Sequence, residues 1–330
     1  MSTSFEYLPF EKDIQELEAA LSRLEASEKG EPGEEVRRIR RELMNLIRNK
    51  YTNLGAWDTV LVSRHKQRPQ TTDYIQMIFD EFVELHGDRA IGDDRAIRTG
   101  FARIGDHRVM LIGHQKGHNL KEKSECLFGC AHPEGYRKAL IKMRSAAKFK
   151  MPIICLIDTP GAYPGIGAEE RGQAQLIATN LLEMSRIETP IVCVVIGEGG
   201  SGGALGIGIG DRVGMLEFAY YSVISPEGCA GILWKEANDE TKRLAADALK
   251  LTARDLFRLR VIDDIIAEPL GGAHRDPVQM GNFLKTYLLR HLGKLKQIAI
   301  PELLEQRYQK FRRMGVFDEG LPTPVAAANQ

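Results

Sequence analysis

The sequence contains no apolar run of 18 residues, so nothing in it reads as a membrane span. It also has no net charge. Forty-five Lys and Arg face 45 Asp and Glu, which removes any overall pull toward nucleic acid or an anionic membrane. The same neutrality leaves little repulsion to keep chains apart, which suits a partner or an oligomer. Cysteine is scarce, with five residues at positions 126, 130, 155, 193 and 229. The odd count, the wide spacing and the apolar settings of Cys155 and Cys193 exclude a disulfide scaffold and fit a reducing compartment. The first ten residues lack a basic segment followed by an apolar one, so no secretory signal is expected and the cytoplasm is the expected location.

What is present is ordinary in bulk and unusual in detail. The 330 residues suggest about two domains, and 43% hydrophobic with 27% charged residues suit a globular core. Ile14, Leu17, Leu21 and Leu24, then Val36, Ile39, Leu43, Leu46 and Ile47, recur at helical spacing on either side of the breaker Lys29-Gly30-Glu31-Pro32-Gly33. The expected organisation is a helical hairpin over 1–60, acting as a packing or partner arm, and a main domain over 61–330.

In the main domain, strands are expected at Ile97–Ile104 and Arg108–Ile112, flanking a Gly105-Asp106 turn. A basic helix is expected over Gly135–Phe149. Ile153–Ile157 and Ile191–Ile196 are short continuous apolar runs, the pattern of buried parallel strands. Each leads into a glycine-rich turn and a helix, the first helix running from about Ala168 to Arg186. A right-handed crossover joins such units most simply. Further strands are expected at Val213–Leu216, Tyr220–Ile224 and Val261–Ile266, with closing helices near 277–292 and 301–313. The last ten residues are expected to fray.

Nine of the 32 glycines fall in two clusters. The first cluster spans Asp158 to Gly167 and the second Gly197 to Gly206. Glycine lets the main chain approach a ligand closely, and a helix N-terminus offers amides without intrahelical partners. Two such turns in matching positions point to a site that binds an oxyanion or phosphate. Gly197-x-Gly199-x-x-Gly202 also matches a dinucleotide pattern, with Glu217 about twenty residues on, but it lies past mid-chain, where such a fold does not open. Asp158-Thr159-Pro160-Gly161 matches a nucleotide-switch segment, yet no Gly-x-x-x-x-Gly-Lys-Ser/Thr accompanies it. Gly199-Gly200-Ser201-Gly202-Gly203 matches a nucleophile elbow, with Asp263 or Asp264 and then His274 or His291 in triad order. A serine hydrolase using Ser201 is therefore the alternative reading.

Four segments carry a longer match: Asp158–Gly165, Ala168–Gln173, Gly197–Ala204 and Val223–Cys229. With Leu54–Trp57, Gly113–Gly117, Pro133–Ala139, Ile232–Lys235 and Glu268–His274, they resemble the alpha subunit of the carboxyltransferase of multi-subunit acetyl-CoA carboxylase. The resemblance runs over about residues 5–315. It implies an α/β, crotonase-like fold of repeated ββα units with an N-terminal helical extension. It implies transfer of a carboxyl group from carboxybiotin, presented by a biotin carboxyl carrier protein, to acetyl-CoA, giving malonyl-CoA for fatty acid synthesis. It implies a homologous beta subunit, two of each chain, with biotin carboxylase in the wider complex. Zinc is expected on the beta subunit only, and no cofactor is bound covalently to this chain. The site forms where alpha and beta meet.

On that resemblance the backbone N–H groups of Gly202 and Gly203 form an oxyanion hole for biotin. Gly161, Ala162, Gly165, Gly199 and Gly200 shape the substrate walls, and Ser201 is only a small residue in a tight turn. Residues 116–150 carry nine basic against three acidic side chains, so Lys116 and its neighbours could meet coenzyme A phosphates. Few aromatics interleave them, and nucleic acid is not expected. His114, His118, Cys126, Cys130 and His132 lack a strong zinc spacing, so a surface loop and no metal are expected there. Trp57 and Trp234 are read as core or interface.

Overall fold

The computed structural model describes residues 5–27 and 33–314. The breaker at 29–32 and the last ten residues lie outside the described residues. Eight strands form one mixed sheet: β1 (Glu81–Glu84), β2 (Ile97–Ile104), β3 (His107–His114), β4 (Ile153–Thr159), β5 (Ile191–Gly200), β6 (Arg212–Leu216), β7 (Tyr220–Ser222) and β8 (Asp264–Ile266). The order is β1-β2-β3-β4-β5-β6-β8, with β7 added beside β5. β1, β2 and β3 pair antiparallel, and every pairing from β3 onward is parallel.

The helices in chain order are α1 (Lys12–Ser27), α2 (Glu34–Thr52), α3 (Ala56–Ser63), α4 (Thr71–Ile78), α5 (Leu120–Glu125), α6 (Pro133–Lys148) and α7 (Ile166–Glu170). They continue with α8 (Gln173–Arg186), α9 (Ser201–Leu205), α10 (Pro226–Leu233), α11 (Asp239–Leu249), α12 (Ala253–Arg258), α13 (Pro277–Leu295) and α14 (Ile300–Arg312).

The strands form where the apolar runs predicted them. Every residue of β4 and of β5 is buried, because helices cover both faces of the central sheet. Their flanks differ from expectation in informative ways. β5 does not stop at Ile196 but runs on through Gly200, so the first four residues of the second glycine cluster are strand. The helix expected from Ala168 to Arg186 is two helices, broken where Gly172 takes φ +80, a conformation open to glycine. Residues 120–129, read as a surface loop, form α5, capped by Asn119, and a 3₁₀ turn. The last short strand begins at Asp264, three residues later than expected.

α1 and α2 lie against each other and against the main body. Ile14, Leu43, Ile47 and Tyr51 are buried with Val62 and Phe218. Arg275 donates to Glu11 at 2.8 Å and to Glu18 at 2.7 Å, and Tyr51 donates to Glu11 at 2.8 Å. Charge pairing thus pins the start of α1 to the loop before α13.

Candidate active site

β4 and β5 are neighbours, and their C-terminal ends carry the two glycine clusters to one edge of the sheet. Thr159 ends β4. Its hydroxyl lies 2.7 and 2.8 Å from the carbonyls of Gly129 and Gly161 and accepts the Gly161 N–H at 3.1 Å. The first loop is further tied down by Tyr163, whose N–H donates to Ala131 at 3.0 Å and whose ring stacks on His132 at 4.2 Å.

The second cluster packs on the first, main chain against main chain. A Cβ on Gly203 would lie 2.5 Å from both the Ala162 nitrogen and the Gly161 carbonyl carbon. A Cβ on Gly200 would collide with the Pro160 carbonyl, and one on Gly199 would lie 2.8 Å from the Tyr221 ring. These three glycines exist to allow close approach. Gly161 and Gly202 are different. A Cβ on Gly161 would meet nothing within 4 Å, and one on Gly202 would meet only Ile177, at 3.7 Å. Both are half-buried, as are Ala162 and Gly165. The loops therefore touch along Gly200 and Gly203, Gly199 packs against β7, and an open cradle is left, bordered by Gly161, Ala162 and Gly202.

The first-turn amides of α9 have no intrahelical acceptor. Behind them the backbone is braced. Gly206 donates to the Gly202 carbonyl at 2.9 Å, and the buried Tyr136 hydroxyl donates to the Gly203 carbonyl at 3.2 Å. Asn180 donates to the carbonyls of Tyr136 and Gly206, at 3.0 and 2.9 Å. The Gly202 carbonyl shares its peptide plane with the Gly203 N–H, so the bond from Gly206 fixes that plane, and amides without intrahelical acceptors suit charge developing on an oxygen.

Lys116 does not offer its charge outward. Its ammonium lies 2.6 Å from Asp158 and 2.8 Å from Glu198, and its side chain is 15% exposed. Two carboxylates already share its charge, so a coenzyme A phosphate would compete with them for it. Sequence reasoning missed the network around it. Arg64 donates to Glu198 at 2.6 Å, to Glu227 at 2.5 Å and to the Tyr220 hydroxyl at 3.2 Å. Burial raises the Glu198 carboxyl, but Lys116 and Arg64 outweigh it and hold it at about 2. Burial pushes Asp158 up despite Lys116. The signal available was a carboxylate at the end of each apolar run, where a charge demands a partner. A cleft of about 370 Å³ opens here, between Arg64, Lys116, Phe128 and Pro160.

The triad of the alternative reading does not assemble. Asp263 holds Lys310 at 2.9 Å, and Asp264 faces His291 at 3.5 Å. His274 is stacked on His65 at 4.0 Å. None of these groups is directed at Ser201, the exposed first residue of α9, which sits at φ +49. Among the described residues no three His, Cys, Asp or Glu converge on a metal position. His118 instead pairs with Asp73 at 2.8 Å. Trp57 is buried and Trp234 is 40% exposed. No helix among the described residues is long and apolar enough to cross a membrane.

Residues 7–315 match the family model described as acetyl co-enzyme A carboxylase carboxyltransferase-like. An acetyl-coenzyme A carboxylase carboxyl transferase subunit alpha from Rhodopirellula baltica is 57% identical over 94% of this chain and 98% of its own. The protein of the same name from Methylococcus capsulatus is 52% identical over 95% and 98%. Among solved structures, transcarboxylase 12S superposes with a TM-score of 0.52 at 22% identity, over 67% of this chain and 42% of that one. The beta subunit of P. aeruginosa geranyl-CoA carboxylase gives 0.53 at 16%, over 75% and 46%.

Proposed function

Because the chain belongs to the acetyl-CoA carboxylase carboxyltransferase family, as an alpha subunit with a crotonase-like fold, we propose that its two glycine loops form the oxyanion site for carboxyl transfer. The family membership makes it a transferase. The finer reading is that a beta subunit completes the site, in an assembly of two alpha and two beta chains. A biotin carboxyl carrier protein brings the carboxyl group, and biotin carboxylase loads it. Acetyl-CoA accepts it, and zinc belongs to the beta subunit. Five free thiols suit the cytoplasm.

The observation that carries the mechanism is the backbone contact of Gly203 with Gly161 and Ala162 beside the open faces of Gly161 and Gly202. Carboxylated biotin, when presented there, supplies the carboxyl group and then the base that removes a proton from the acetyl methyl. This chain's work is electrostatic. The N–H groups of Gly202 and Gly203 donate to the oxygen on which charge builds, and each such donor contributes roughly 10²–10³ in rate. Gly161 and Ala162 border the cradle from the first loop, with Gly165 beyond them. Gly200 sets the approach of the loops and Gly199 that of β7, the Gly206 N–H holds the peptide plane of the Gly203 amide, and Tyr136 and Asn180 brace the turn behind it.

The test is malonyl-CoA-dependent carboxylation of biocytin by this chain alone, by a beta subunit alone and by the two mixed. Activity only in the mixture is expected. An inactive mixture in which sedimentation confirms the complex would overturn the reading.

A further inference from the structure

We propose that Lys116 is a positioning residue for this reaction: its ammonium, shared by Asp158 and Glu198, clasps the ends of β3, β4 and β5 and sets the spacing of the two glycine loops. The proposal rests on the oxyanion reading above and adds the element that keeps the cradle at its working width.

Three observations support it. Lys116 lies two residues beyond the end of β3, Asp158 one residue before the end of β4, and Glu198 two before the end of β5. One ammonium therefore joins three adjacent parallel strands where they release their loops, at 2.6 and 2.8 Å. Second, the β4–β5 register shifts between Ile157 and Thr159, and there Asp158 accepts the Glu198 N–H at 2.9 Å. A side chain thus replaces a ladder bond at the point where the loops diverge. Third, a Cβ at Gly197 would strike the Asp158 carboxylate, so the main chain comes close to this cluster as it comes close to the opposite loop.

The two carboxylates face each other, and the clasp is what makes that tolerable. Around them stand Arg64 and Tyr220 on the Glu198 side, Arg68 and Tyr74 on the Asp158 side, and His114 and Cys130 beside Lys116. Arg64 also serves Glu227, and Arg68 is bound to Glu268. Without Lys116 the Asp158 carboxylate has no cation of its own. Burial already pushes Asp158 up, and loss of the ammonium pushes it further.

The experiment uses the alpha–beta complex and the biocytin assay from pH 6 to 9. For Lys116→Met, kcat is expected to fall about 10²-fold at pH 8, the cost of an ångström-scale misplacement. KM for malonyl-CoA is expected to stay within about threefold, because KM is insensitive to a group that makes no substrate contact. The loss should shrink toward pH 6, where a proton on Asp158 restores the charge balance. The charge-balanced double variant Lys116→Met/Asp158→Asn should recover at least about tenfold and lose the added pH dependence. A raised KM with unchanged kcat would overturn the proposal in favour of a phosphate contact. A lowered melting temperature with unchanged kcat in the folded complex would reduce Lys116 to a stabilising residue and also overturn it. Should Lys116→Met fail to assemble, the double variant decides: recovered turnover supports the clasp, and turnover below about a hundredth of wild type refutes it. Wild-type activity, read in parallel, reports on the oxyanion reading separately.

Discussion

Replacing Gly203 with alanine tests the site at the point where its two halves touch. The added methyl would lie 2.5 Å from the Ala162 nitrogen and the Gly161 carbonyl carbon, both main-chain atoms. No side chain can rotate aside, so the loops must part. Restoring an ordinary contact of about 3.5 Å requires a separation of about 1 Å. Overpacking of this kind costs about 1–3 kcal/mol, too little to unfold a domain of ordinary stability. The catalytic cost is larger, since a donor displaced by about 1 Å loses on the order of 10²-fold in rate. Gly203→Ala should therefore lower kcat for biocytin carboxylation about 100-fold while the complex still assembles. Gly293→Ala is the control. It sits in α13, its Cβ would meet nothing within 4 Å, and it should gain up to about 1 kcal/mol of helix stability with no change in rate. A Gly203→Ala complex that turns over within about threefold of wild type would refute the reasoning, because the close approach would then not set the position of the amides.

Two further outcomes follow from the charged interior. Arg68 and Glu268 form a bidentate pair at 2.8 and 2.5 Å, with side chains 3% and 0% exposed. Arg68→Met should cost about 3–5 kcal/mol in urea unfolding, and Arg68→Met/Glu268→Met should regain part of it, since the penalty comes from the stranded carboxylate. An additive double variant would contradict this. Glu198 gives the pH dependence. Its folded value of about 2 lies below that of the unfolded chain, so the unfolded state binds the proton first. The stability it contributes is complete above the unfolded value of about 4.3 and is lost as pH falls toward the folded one. Asp158 is shifted the other way, so its contribution is present at low pH and lost as pH rises through its folded value. The urea midpoint of wild type should consequently fall more steeply than that of Glu198→Gln between pH 6 and pH 3. Parallel curves would show that Lys116 and Arg64 do not hold the carboxylate as described.

How much of this was legible before the structure depends on how local each constraint is. β4 and β5 were readable because strands buried on both faces are apolar throughout, a pattern visible within six residues. The glycine clusters were readable for the same reason: a turn that must approach another backbone excludes side chains at consecutive positions. The same glycines concealed the extension of β5 to Gly200, because a residue without a side chain carries no strand signal. The break between α7 and α8 was hidden too, since one glycine within a helical pattern is tolerated and only its φ of +80 shows that it ends a helix. The charge network was the least legible part. Asp158 and Glu198 stand out as carboxylates closing apolar runs, but the partners that neutralise them are far away in sequence. Arg64 is 134 positions from Glu198, and Lys116 is 82. Composition alone suggested a free lysine on a basic segment. The fold decides otherwise, because a carboxylate that a parallel strand carries into the interior must find its cation among the residues that neighbouring strands deliver to the same edge. That edge is where we propose that the reaction takes place. The groups that hold the loops and the groups that face the substrate are therefore neighbours in space, and a substitution there has to be read for both.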